Sequence, residues 1–176
     1  KIGNLKKFSE TIGYLESKQL RTTEDLDALL NSMQEQIGTL KESASGKQAR
    51  IKELDDLLRM ADYYQQGKPV ADKLKTIRFD TFRQKYKAEH ENVLRTFYMA
   101  ERKLKNQWVD GKIPVHAWRK EKSKLETEYQ ALQQKITPLY ADTKKLWAIH
   151  YSIYQVQHEQ ERQNAVTRQK NHEIEH

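Results

Sequence analysis

The last five residues, "HEIEH" from His172 to His176, match the H-E-x-x-H pattern in which two histidines one helical turn apart hold zinc and the glutamate acts as general base. That chemistry needs a helix fixed in a cleft, a third ligand and a substrate groove. Here the motif follows a polar stretch and has no residue after it that could serve as a ligand, so no zinc enzyme is expected. His90 sits between Glu89 and Glu91 on an apolar stripe and is expected to be an interfacial histidine, because a catalytic or pH-sensing role would need a partner from another helix. His116, His150 and His158 are scattered, and the sequence contains no His-x-His pair. Nine tyrosines could in principle supply a nucleophile, but at helical spacing among Leu and Phe they are packing groups. The glycines are isolated, so neither a P-loop nor a dinucleotide fingerprint is present. No catalytic residue, metal site or cofactor is expected.

The stretch "RFDTFRQKYKAEHENVLRTFY" from Arg78 to Tyr98 points to different chemistry, since it interleaves five aromatic rings with five basic side chains. Charge is concentrated around it. Residues 73–124 hold fifteen Lys/Arg against six Asp/Glu, a net +9, whereas residues 21–66 carry −3. Phe82, Tyr86 and Phe97 fall on the expected core stripe, which leaves the cations to meet phosphates. The candidate DNA-backbone contacts are Arg78, Arg83, Lys85 and Lys87, with Lys103, Lys105, Arg119, Lys120 and Lys124.

The elements that must position these residues are helices. The 176-residue chain is about a third charged and has six glycines, three prolines and no cysteine. That composition is typical of long helices, and it excludes disulfides and thiolate zinc sites. The predicted fold is all-α: an elongated antiparallel helical hairpin or coiled-coil-like bundle of about four helices, two of them very long, forming one domain over residues 1–163. A short helix spans 4–17. A long helix spans 23–66, started by Thr22 or Thr23 as N-cap, with Leu26, Leu30, Met33, Ile37, Leu40, Ala44, Ile51, Leu54, Leu58 and Ala61 in heptad steps interrupted by Lys47. "GKP" at Gly67–Pro69 is expected to stop it. A third helix spans 70–108, with Asp80 as the alternative start, and carries the stripe Phe82, Tyr86, His90, Val93, Phe97, Ala100 and Leu104. "DGKIP" at Asp110–Pro114 then signals a turn. A fourth helix spans 115–161, kinked by Pro138, with a seam from Trp118 through Lys122, Leu125, Tyr129, Leu132, Ile136, Leu139, Thr143, Leu146 and His150 to Ile153. Residues 164–176 form a polar tail. The longest uncharged run, thirteen residues from Leu146, is well short of the roughly 20 apolar residues of a membrane span. The chain opens at Lys1 without methionine and is expected to be a piece of a longer protein of the bacterial cytoplasm, with a homo-oligomer as one way to close its seams.

Three segments, "NLKKFSETIGYLESKQLRTTEDLDALL" (Asn4 to Leu30), "YKAEHENVLRTFYMAERKLK" (Tyr86 to Lys105) and "GKIPVHAWRKEKSKLETEYQALQQK" (Gly111 to Lys135), resemble the helical region that follows the nuclease domain in relaxases, the mobilisation proteins of Gram-positive conjugative plasmids and integrative elements. Pro138 departs from the uninterrupted helix of that region. The resemblance implies a parent protein that nicks DNA through a tyrosine and a histidine-held metal. Those catalytic motifs match nothing in this chain. It also implies an accessory role for this piece, holding DNA or docking relaxosome proteins or the coupling protein of a type IV secretion channel. The alternative is a purely structural coiled coil or tether.

Overall fold

The computed structural model describes the backbone of residues 2–174 and the side chains of residues 9–166. It is an all-α helical bundle with helices α1 (Ile2–Ser17), α2 (Thr23–Thr76), α3 (Asp80–Glu89), α4 (Glu91–Leu104) and α5 (Val115–Ile174). The motif at His172–His176 lies outside the residues whose side chains are described.

Local chemistry sets several helix ends. Thr22 is the N-cap of α2: its carbonyl accepts from Leu26 N, and its hydroxyl accepts from Asp25 N at 3.1 Å. Asp25 in turn accepts from the backbone of Arg21 and Thr22, each at 3.1 Å. This reciprocal box satisfies the amides that a helix start leaves without partners. α1 ends in a Schellman-type turn. Leu20 N donates to Leu15 O at 3.0 Å while Gln19 occupies the left-handed region at φ 58°. Between α4 and α5, Asp110 (φ 49°) and Gly111 (φ 70°) form a type I′ turn closed by paired Val109–Lys112 hydrogen bonds of 2.9 Å. The Asp-Gly turn signal is therefore where the sequence places it.

The chain forms two compact units. The first comprises residues 1–42 and 133–176. Its core sets Leu26, Leu30 and Met33 of α2 against Leu146 of α5, with Tyr14, Leu20, Leu29, Leu139, Ile149 and Ile153 packed around them. Asp27 Oδ1 meets His150 Nε2 at 2.9 Å, and Lys18 meets Asp142 at 3.4 Å. Ile12 of α1 is exposed.

The second unit comprises residues 43–132. Here Leu54, Leu57, Met60, Ala61, Tyr64 and Ala71 of α2 enclose Leu94, Phe97, Ala100 and Leu104 of α4, and Trp118 of α5 closes the core. The two lysines that interrupt the hydrophobic seams are used in cross-helix ion pairs: Lys47 reaches Glu128, and Lys122 reaches Asp55 at 2.6 Å. Arg50 forks onto Glu121 at 2.8 and 3.2 Å and holds Glu53 at 2.8 Å. These bonds push the Arg50 guanidinium pKa upward, and the same contact holds the Glu121 carboxyl below its usual range.

Three predicted boundaries differ from the structure. α2 does not stop at Gly67–Pro69 but continues to Thr76. Gly67 is buried against Phe97, and Tyr64 stacks on the same ring at 5.2 Å, so tertiary packing carries the helix onward. Pro69 and Gln65, whose carbonyl loses its helical donor, are both exposed, where water can satisfy that carbonyl. The predicted 70–108 helix is divided: residues 70–76 belong to α2, 77–79 form a loop, and His90 at φ −116°, ψ 19° separates α3 from α4. α5 runs beyond residue 161 to Ile174, passing through Pro138.

Candidate nucleic-acid interface

α3 carries three of the nine candidate cations, Arg83, Lys85 and Lys87, with Arg78 just before it, and none of its residues is buried. The physical cause is the break at His90. If one helix ran through this region, Phe82, Tyr86, His90 and Val93 would continue the line of Phe97, Ala100 and Leu104. Within α4 the buried face is Leu94, Phe97, Ala100 and Leu104, with Val93 turned out, and the non-helical ψ at His90 takes α3 out of register with that face. Phe82 is consequently not a core residue: it is 66% exposed, beside Phe79 at 71%, and the two rings form an edge-on pair with centroids 6.3 Å apart. The premise that the rings of this stretch are covered holds for Phe97 and fails for Phe82.

Tyr86 and His90 anchor the other side of α3. Their rings stack at 4.1 Å, His90 Nδ1 lies 3.0 Å from the Tyr86 carbonyl oxygen, and Lys73 Nζ sits 5.2 Å from the Tyr86 ring centroid. His90 is thus a packing histidine at a helix junction. Among the described residues no group of three or more His, Asp or Glu side chains is arranged to hold a metal ion.

Arg78, Lys85 and Lys87 are exposed and have no ion-pair partner among the described residues. Arg83 is committed elsewhere: its guanidinium donates to Ile77 O at 2.8 Å and lies 3.5 Å from Asp80, so it holds the loop that presents Phe79. Lys103 and Lys105 are exposed at the end of α4. Lys105 lines a shallow depression of about 460 Å³ with Glu101, Arg102 and the part-exposed Trp108. Arg119, Lys120 and Lys124 lie on α5 away from Trp118 and Leu125, and Lys124 is 3.9 Å from Glu128. The structure gathers Arg78, Lys85 and Lys87 around one short helix. It shows no contact joining them to the cations of α4 and α5.

Sequence reasoning missed Phe79 and Phe82 as surface groups. The signal lay in the alternative start at Asp80, a first-turn acid that marks a helix start right after Phe79. Among the described residues no helix is long and apolar enough to cross a membrane. Comparison of the chain with protein-family models, with curated proteins and with solved structures gives no match.

Proposed function

We propose that this chain is a non-catalytic helical accessory domain, of the kind that follows the nuclease in relaxases, which holds DNA without reading its sequence and presents a surface for relaxosome or coupling-protein partners. The observation that carries the proposal is α3, a helix with no buried residue, which bears the exposed cations Lys85 and Lys87 and, at its start, Arg78 and the exposed Phe79–Phe82 pair. Unpaired cations meet phosphates, and uncovered rings can stack on unpaired bases. The +9 charge of residues 73–124 adds the long-range attraction that brings a polyanion to the surface.

Fluorescence anisotropy with labelled DNA tests this. If three to four phosphates are neutralised, log affinity falls against log salt with a slope of roughly −3 to −4. Reversing Arg78, Lys85 and Lys87 to Glu should weaken binding to every sequence alike at unchanged helicity. Arg83 is left intact because it holds the loop. No binding at low salt, or binding indifferent to the reversals, would favour the second reading, a structural helical module without nucleic-acid affinity. The specific support for that reading is the set of cross-helix pairs Lys47–Glu128, Arg50–Glu121 and Lys122–Asp55, which register α2 against α5 in the second unit.

A further inference from the structure

α5 carries two heptad faces in the first unit, and α2 uses only one of them. The used seam runs Ile136, Leu139, Thr143, Leu146, His150 and Ile153, all buried or half-buried. One residue further round, Tyr140, Lys144, Trp147, Tyr151, Tyr154 and His158 repeat the same alternating steps of four and three. On this second face Tyr140 is 58% exposed, Trp147 43%, Tyr151 63% and Tyr154 51%. Its aromatic and cation–π contacts stay within the unit: Lys41 Nζ lies 5.2 Å from the Tyr140 ring, Trp147 meets the edge of His150 at 5.4 Å, and Tyr154 meets His158 at 4.2 Å. Ile37, Lys41, Tyr140, Thr143 and Trp147 line a groove of about 390 Å³ along it. From Tyr154 to Val166 every side chain of α5 is exposed.

We infer that this face, over residues 140–158, is a self-complementary seam on which a second copy of the chain docks with its α5 antiparallel. A helix is the indicated partner because heptad spacing is what knobs-into-holes packing of a helix requires, whereas a nucleic-acid strand imposes no such period. A second copy is indicated because the stripe matches itself about its midpoint. In the antiparallel arrangement Trp147 meets Tyr151 of the other copy, Lys144 lies over Tyr154, and Tyr140 faces His158. Charge selects the direction. Lys41, Lys144 and Lys145 with Asp142 leave one end of the stripe net positive, and Glu159 and Glu161 with Arg162 leave the other net negative. Antiparallel docking brings opposite ends together, and parallel docking would set the lysines against one another. The four rings expose on the order of 450 Å², about half of the roughly 800 Å² per partner of a standard interface, and the flanking side chains supply the remainder.

Sedimentation equilibrium from about 1 to about 200 μM, a range suited to an interface of this size, should show a reversible dimer. Trp147→Glu, and separately Tyr151→Glu at the more exposed position, should each give a monomer with unchanged helicity and melting. The chain has no cysteine, so Ala148→Cys introduces a single thiol at an exposed position on the flank of the stripe, one residue from its midpoint; a short bis-maleimide crosslinker should join it to the same thiol of the other copy. A monomer across the whole range, a dimer that survives both glutamate variants, or a dimer in which the cysteine does not link overturns the inference. A monomer whose affinity for oligo(dT) falls in Trp147→Ala overturns it too, and assigns the face to single strands.

Discussion

Gly67 of α2 lies against Phe97 of α4 so closely that a Cβ at residue 67 would collide with the Cβ of Phe97. This contact brings α4 to its position in the core of the second unit. Tyr64, one turn earlier on α2, stacks on the same ring, and Trp108 meets the Tyr64 ring edge-on at 5.7 Å.

Gly67→Ala should therefore destabilise the protein by about 1–3 kcal/mol through overpacking, although Ala is the better helix former. Gly46, also within α2, has open space around it, so Gly46→Ala should stabilise by about 0.5–1 kcal/mol. Urea midpoints of the two variants check the pair. Equal shifts of the same sign would show that Phe97 yields freely and that the close approach does not matter.

Gln19 holds a left-handed backbone at φ 58° in the turn that ends α1, a conformation in which a Cβ is disfavoured. Gln19→Gly should raise the melting temperature, by an amount corresponding to about 0.5–1 kcal/mol, and Gln19→Val should lower it. A loss of stability with glycine would show that the Gln19 side chain supports the turn.

Backbone amides of Arg21 and Thr22 hold the Asp25 carboxyl below its ordinary value of 3.8, and Arg50 holds Glu121 below 4.5. Both folded-state values are depressed, so the stability they contribute is present above the ordinary values and is lost as pH falls through the folded ones. Urea midpoints should be flat above pH about 5.5 and fall increasingly below about 4.5. Asp25→Ala should be less stable than wild type near neutral pH and lose less on acidification. An unchanged acid limb in that variant would remove the cap from the account.

Phe79→Ser with Phe82→Ser should leave the melting temperature within about 2 °C, because both rings are already largely exposed. Under the proposed function the same double variant should weaken single-strand binding about 5- to 100-fold while sparing duplex binding, since stacking needs unpaired bases. A large drop in stability would mean that the rings are covered in solution.

The helical class, a threonine cap at Thr22 or Thr23, the Asp110–Gly111 turn and the inward positions Leu26, Leu30, Met33 and Ile37 were legible in the sequence, because each depends on the intrinsic conformation of a few residues or on an unbroken heptad period. The cations were legible as a list of residues, since charge is a property of composition. Their environment was decided only by tertiary structure. A Gly-x-Pro triplet ends a helix in isolation, yet packing of Tyr64, Gly67 and Ala71 onto α4 carries α2 past it. One non-helical ψ at His90 rotates everything before it, which turns Phe82 from an expected core residue into an exposed one and leaves α3 with no buried side chain. The assignment of Lys47 and Lys122 to ion pairs, and of Arg83 to a loop carbonyl, depended likewise on which groups the fold brought within about 3 Å, because hydrogen bonds and ion pairs act over such short distances. Sequence periodicity shows that a face is apolar. Which neighbour covers it depends on packing between segments far apart in the chain.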